Sequence, residues 1–336
     1  MKFLNNLGYL LSTTITLTRF SIPLARYFPS QKFLKREMSG IKRTDVTPFK
    51  ITFSEKLIKD LRYRLTNTKT FTLPFEKLNN MSTINMDVLR NLISYWANDY
   101  DFQERERYIN KYPHFMTNIK ELNIHFIHVK NPHPEGKVIV PILCLHGWPN
   151  SIMEFYDTIP YWTAQMPIKD VAYEIIIPSL PGLGFSRIPC FSRNEMNIVL
   201  RSLMIKLFDS EVFDIQYGVS FINHAIMLPL PQRYIFQKQI FYKMPRERFL
   251  TMTECPNSYI VREDTLAIGL TESPIALAAF ILQKYLSNTD CTGKYTENFK
   301  KSDYNKLIDN LMIYWATQSI TTAMKVYTEY FTNCDK

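Results

Sequence analysis

Val138–Leu145 is an apolar run broken only by Pro141, and it flows directly into His146-Gly147-Trp148-Pro149. Tyr173–Ile177 repeats the pattern and passes through Pro178 into Ser179-Leu180-Pro181-Gly182-Leu183-Gly184-Phe185-Ser186. Short continuous apolar runs bounded by turn residues read as strands buried on both faces of a parallel sheet. Open α/β sheets place ligand sites beyond the carboxyl ends of such strands. Glycine and proline also punctuate ordinary loops, so either turn by itself is weak evidence. Two of them, separated by one helix-length segment from Ser151 to Trp162, are far harder to obtain by accident. The pair predicts an α/β fold with its site at these turns.

Upstream, Ser54 is placed to cap a helix whose Leu57, Ile58, Leu61 and Leu65 recur at helical spacing. A second amphipathic helix carries Val88, Leu89, Leu92, Ile93 and Trp96 on one face, and Leu122–Val129 alternates as a strand does. Ile275–Leu286 and Leu307–Met324 read as helices. No internal repeat or low-complexity tract interrupts the chain.

The 336 residues allow one large or two ordinary domains of ~150 residues, and 46% hydrophobic with 21% charged residues describes a globular chain. Five scattered cysteines, Cys144, Cys190, Cys255, Cys291 and Cys334, have neither C-x-x-C nor zinc spacing, which argues against a disulfide scaffold or structural zinc. Of 40 basic residues, six (Lys2, Arg19, Arg26, Lys32, Lys35, Arg36) precede the first acid, Glu37. The 34 that remain nearly balance the 31 acids, so the bulk of the chain is not a nucleic-acid-binding surface. The charge belongs to a leader. Its uncharged stretch Phe3–Thr18 is short and polar for a spanning helix of ~20 apolar residues. An interfacial or signal-like anchor is the expectation, and a mitochondrial presequence is the alternative.

Together these segments resemble the microsomal epoxide hydrolases, and among them the insect juvenile hormone epoxide hydrolases. The resemblance runs from about Pro48 to Glu329. It is carried by Leu61-Arg62-Tyr63-Arg64-Leu65-Thr66-Asn67-Thr68, Tyr95-Trp96, Ile124 to Lys130, HGWP, PSLPGLGFS, Gly269 to Pro274, Leu277-Ala278-Ala279 and Met312 to Trp315. It implies an α/β-hydrolase fold with an incomplete core, a helical lid and an N-terminal epoxide hydrolase domain. The division it implies is a basic leader or membrane anchor over 1–47 and an N-terminal domain over 48–130. A shortened hydrolase core over 131–250 and a lid with the start of the return to the core over 251–336 complete it.

The family's chemistry, as the resemblance implies it, is epoxide plus water to a vicinal diol through an alkyl-enzyme ester, without metal or cofactor. A carboxylate on a nucleophile elbow attacks the epoxide carbon, lid tyrosines protonate the departing oxygen, and a His–acid pair activates water to cleave the ester. Trp148 takes the oxyanion-hole position, with His146, Gly147 and Pro149 shaping the turn and His146 read as structural. Tyr327 takes the position of a proton-donating tyrosine. The other lid tyrosine falls in register on Cys255, and Tyr259 substitutes only if the loop is re-formed.

The elbow departs from the pattern. Aligning Gln216 on the family's Gln-Gly-Gly-Asp-Trp-Gly puts Val219 at the nucleophile, and the glycine that follows it in the family is missing. The family's acid and histidine are expected in a segment past Lys336, so the chain is expected to be truncated and impaired. His224 reads as structural, and Asp214 lies inside the expected strand. The main alternative is a non-catalytic binder of hydrophobic epoxides. A serine hydrolase using Ser220 in a broken G-x-S-x-G is a remoter one. The partners expected are a lipophilic epoxide and a membrane surface, at the endoplasmic reticulum or, alternatively, the mitochondrion.

Overall fold

The fold is known from a computed structural model, which describes residues 45–67, 86–163, 171–186, 193–208, 225–227, 263–289 and 300–332. The chain enters through β1 (Thr47–Phe49) and turns into α1 (Glu55–Thr66). Ser54, in extended backbone, accepts the Leu57 N–H at 3.2 Å, and Leu61 and Leu65 point inward. α2 (Met86–Asn98) buries Val88, Leu89, Leu92, Ile93 and Trp96, the stripe expected of it. α3 (Phe102–Ile109) was not foreseen. Its Asp101 cap accepts from the Gln103 and Glu104 N–H groups, and it buries Phe102, Arg105 and Ile109.

β2 (His114–Ile119) and β3 (Leu122–Val129) form a hairpin closed by Lys120 and Glu121, whose φ values are 51° and 67°. Positive φ at both central positions is the geometry of the two-residue turn that matches strand twist. β4 (Val138–Leu145) and β5 (Val171–Pro178) follow, and the helix-length segment between them holds a 3₁₀ turn (Ile152–Phe155) and the short α4 (Ile159–Thr163). α5 (Arg193–Phe208) packs on β2, and β6 is Ala225–Met227. The sheet order is β1-β2-β3-β5-β4-β6. Among the described strands only β4 and β5 are parallel, and every other neighbouring pair is antiparallel. Burial of β4 starts at Val140; Val138 is exposed, which shortens the fully buried run expected from the sequence.

The helical half comprises α6 (Glu263–Glu272), α7 (Pro274–Thr289), α8 (Lys301–Thr317) and α9 (Ile320–Thr332). The single helix expected over Leu307–Met324 is two helices. Gln318 closes α8 with φ 53°, and Ser319 opens α9 by accepting the Ala323 N–H. Thr317 contributes to the break, its hydroxyl bonding back to the Ile313 carbonyl at 2.6 Å. α7 and α8 pack against α1, α2 and α3, so the two ends of the chain share one apolar core with the sheet. Among the described residues no single helix is long and apolar enough to cross a membrane. The bent pair Thr265–Glu272 and Pro274–Tyr285 passes by length and composition only.

Candidate active site

Because β4 and β5 run parallel, the HGWP and PSLPGLGFS turns leave the same edge of the sheet. His146 joins them. Its Nε2 accepts the Leu180 N–H at 3.1 Å, and its Nδ1 lies 3.3 Å from the Gly147 carbonyl, which makes Nδ1 the protonated nitrogen. Burial holds this imidazole below the ordinary histidine range, with Glu154 pulling the other way. It is a neutral histidine that ties the two turns together.

The HGWP turn is gripped from two sides. Glu154 accepts the Gly147 N–H at 3.0 Å through one carboxylate oxygen and the Asn150 side-chain amide at 3.1 Å through the other. From α8, Asn310 Nδ2 donates to the Pro149 carbonyl and the Tyr314 hydroxyl to the Asn150 carbonyl, both at 2.9 Å. Burial pushes the Tyr314 phenol up, so it remains a donor at any ordinary pH. Trp148 is buried with its ring edge-on to Phe280 of α7. A donor aimed at developing negative charge is effective when its backbone is fixed beforehand, and one such donor is typically worth ~10²–10³ in rate. The Gly147 N–H is committed to Glu154, and Trp148, the residue the resemblance places at the oxyanion position, follows it in the turn.

The second turn is equally held. Gly182 (φ 87°) and Gly184 (φ 55°) adopt backbone that side chains disfavour. A Cβ on Gly182 would meet Val326 Cγ2 at 3.0 Å, and one on Gly184 would meet Ile313 Cγ2 and Ser179 Oγ at 3.2 Å. The glycines thus admit α8 and α9. Ser319 accepts the Gly184 N–H at 3.1 Å, and the Thr322 hydroxyl donates to the Gly182 carbonyl at 2.5 Å. α9 is docked on this turn, and Tyr327 follows Val326 in that helix; the Tyr327 side chain is outside the described residues.

Among the described residues, two buried or engaged carboxylates lie near these turns, and both have hydrogen-bond partners. Glu154 holds the turn. Asp309, next to Asn310, receives Arg105 at 3.0 and 2.5 Å and the Tyr100 hydroxyl at 2.9 Å. Burial raises its pKa, with Arg105 opposing. The Cys144 thiol, buried just before His146, is pushed up to about 12 and stays protonated.

Of the residues predicted from sequence, His146, Gly147, Trp148 and Pro149 come together with the PSLPGLGFS turn, and the backbone of Tyr327 lies on the helix packed against it. Val219, Ser220, Tyr259, Cys255, His224 and Asp214 lie outside the described residues. Glu154, Asn310, Tyr314, Ser319 and Thr322 were missed. Only Glu154, seven residues past Gly147, carried a local signal. Among the described residues no group of three His, Cys, Asp or Glu side chains could hold a metal ion.

Comparison with known proteins gives concordant results. A family model described as "Epoxide hydrolase N terminus" matches residues 46–155. The juvenile hormone epoxide hydrolase of Bombyx mori is 34% identical over 88% of this chain and 73% of its own length. Epoxide hydrolase 1 of Oryctolagus cuniculus is 30% identical over 86% of this chain and 74% of its own. The crystal structure of the Bombyx mori enzyme superposes with a TM-score of 0.67 at 33% identity, covering 86% of this chain and 78% of that one.

Proposed function

Since the chain belongs to the epoxide hydrolase family, with an α/β-hydrolase fold, we propose that it binds lipophilic epoxides at the HGWP and PSLPGLGFS turns but hydrolyses them poorly or not at all. The binding half of this reading is supported by one arrangement above all: the two turns leave the only parallel strand pair described and are locked together through His146 and Leu180. The catalytic half is supported by Val219. Opening an epoxide by displacement and then cleaving the product with water requires an ester, hence a carboxylate, and valine offers no nucleophilic atom. Asp309 and Glu154 do not substitute, because their oxygens are already committed.

The names of the relatives favour isoprenoid epoxides of the juvenile hormone kind as ligands, with foreign epoxides a second class. Tyr327 on α9 would donate to the epoxide oxygen and Trp148 would face the oxyanion. The proposal includes residence at the endoplasmic reticulum membrane, supported by the basic segment that precedes Glu37.

The test pairs binding with turnover. Purified full-length protein titrated with a lipophilic epoxide should show saturable quenching of tryptophan fluorescence. The same mixture should yield no diol above a boiled control. Diol formation that disappears in Tyr327→Phe would overturn the catalytic half, and absence of saturable binding would overturn the binding half.

A further inference from the structure

Beside the site, four groups form a buried chain that no step of the family reaction uses. His114 Nε2 lies 2.8 Å from the Ile109 carbonyl, His114 Nδ1 lies 2.9 Å from His125 Nε2, and His125 Nδ1 lies 2.9 Å from Ser179 Oγ. The rings stack at 5.1 Å, and both histidines are buried. Valence fixes the protons. The Ile109 carbonyl only accepts, so His114 carries its proton on Nε2 and accepts at Nδ1 from His125 Nε2–H. His125 Nδ1 then accepts from the Ser179 hydroxyl. Ser186 closes the arrangement by accepting the His125 N–H at 3.0 Å and donating to the Ser179 carbonyl at 2.8 Å. In the neutral state every group is satisfied.

One added proton cannot be accommodated without turning Ser179. If it enters on His125, Nδ1–H faces Ser179 Oγ. If it enters on His114, His125 must accept at Nε2 and again carries Nδ1–H. Either way the Ser179 hydroxyl changes from donor to acceptor and its own proton must find another partner. A second proton would set N–H against N–H across 2.9 Å. Ser179 directly precedes Leu180, whose N–H binds His146, and it lies against Gly184 in the second turn.

We propose that the His114–His125 pair is a one-proton switch that re-aims Ser179 and loosens the PSLPGLGFS turn on acidification, weakening ligand binding. The inference rests on the ligand-binding reading above. The groups facing the pair offer a proton little help. Tyr156 has its oxygen 3.3 Å from His114 Nε2 and donates to the Ile109 carbonyl. Lys111 lies over the Tyr156 ring, and Phe49 of β1 and Phe185 of the second turn press on His125. A charge on His146 would oppose one on His125, Glu154 acts on His146, and Asp309 acts on Tyr156. Burial accordingly holds His125 well below, and His114 below, the ordinary histidine range.

The experiment is imidazole and amide NMR of the ¹⁵N-labelled full chain from pH 8 to pH 5, with 1,2-epoxydodecane titrated at both limits by tryptophan fluorescence. At pH 8, His114 and His125 should both be Nε2–H tautomers and His146 the Nδ1–H tautomer. On acidification the pair should take up one proton in total, and the amides from Ser179 to Gly184 should shift with the same midpoint. Affinity should weaken about fivefold or more. Ser179→Ala, which removes the hydroxyl without crowding the turn, should reduce that pH dependence to less than about twofold. Uptake of two protons, unmoved amides, or full pH dependence in Ser179→Ala would each overturn the switch. If the wild-type protein binds no epoxide at pH 8, the binding reading fails, while the tautomers and amide shifts still decide the switch.

Discussion

The backbone N–H of Leu180 donates to Nε2 of His146 across 3.1 Å, tying the turn after β5 to the turn after β4. Replacing His146 by leucine keeps the volume but strands a buried donor. The desolvation penalty for an unmade bond is ~1–3 kcal/mol. Urea unfolding of His146→Leu should show a loss of that size. A midpoint equal to wild type would mean that the bond contributes nothing to holding the turns.

Gly184 and Gly136 separate crowding from backbone strain. Both have positive φ, 55° and 68°, but a Cβ on Gly136 meets nothing within 4 Å, whereas one on Gly184 meets Ile313 and Ser179. Gly136→Ala should cost roughly 1–2 kcal/mol from left-handed backbone strain. Gly184→Ala should cost measurably more, because α8 must also shift. Equal losses in parallel denaturation curves would contradict the close packing of α8 on this turn.

Arg105 and Asp309 form a buried pair between α3 and α8. Asp309→Asn leaves the guanidinium without its countercharge, and breaking one side of such a pair costs about 3–5 kcal/mol. The double variant Arg105→Met with Asp309→Leu should recover most of that loss. A double variant as unstable as Asp309→Asn would show that the charges themselves, rather than the orphaned one, hold the helices together.

Stability should fall in mild acid. His114, His125 and His146 have native pKa values below their ordinary value, so they take up protons at lower pH than the unfolded chain, which does so near pH 6.5. Their contribution is fully present above that pH and is lost as pH falls below it, at up to ~1.4 kcal/mol per unit per group. Urea midpoints at pH 8, 6.5 and 5.5 check this, and a flat profile would contradict it.

What was legible in the sequence was mostly local. Leu122–Val129 and Val138–Leu145 match their strands because alternation and continuous apolarity are properties of neighbouring residues. β2 escaped notice because its hairpin turns at Lys120-Glu121, without the Asn-Gly or Asp-Gly that marks such turns. α3 was hidden by its charges, four in eight residues, of which Arg105 is buried by a partner 204 positions away. The break at Gln318 carries no glycine. In the site, HGWP was visible as a motif, while Asn310 and Tyr314 grip it from 161 and 164 residues downstream. No spacing rule spans such distances.

The proposal that no carboxylate acts as nucleophile is tested most directly by intact-protein mass spectrometry after rapid acid quench of a single turnover with a lipophilic epoxide. The expected spectrum is the unmodified mass of the full chain at every time point. A transient species heavier by one epoxide, mapped to an Asp or Glu peptide, would contradict the account.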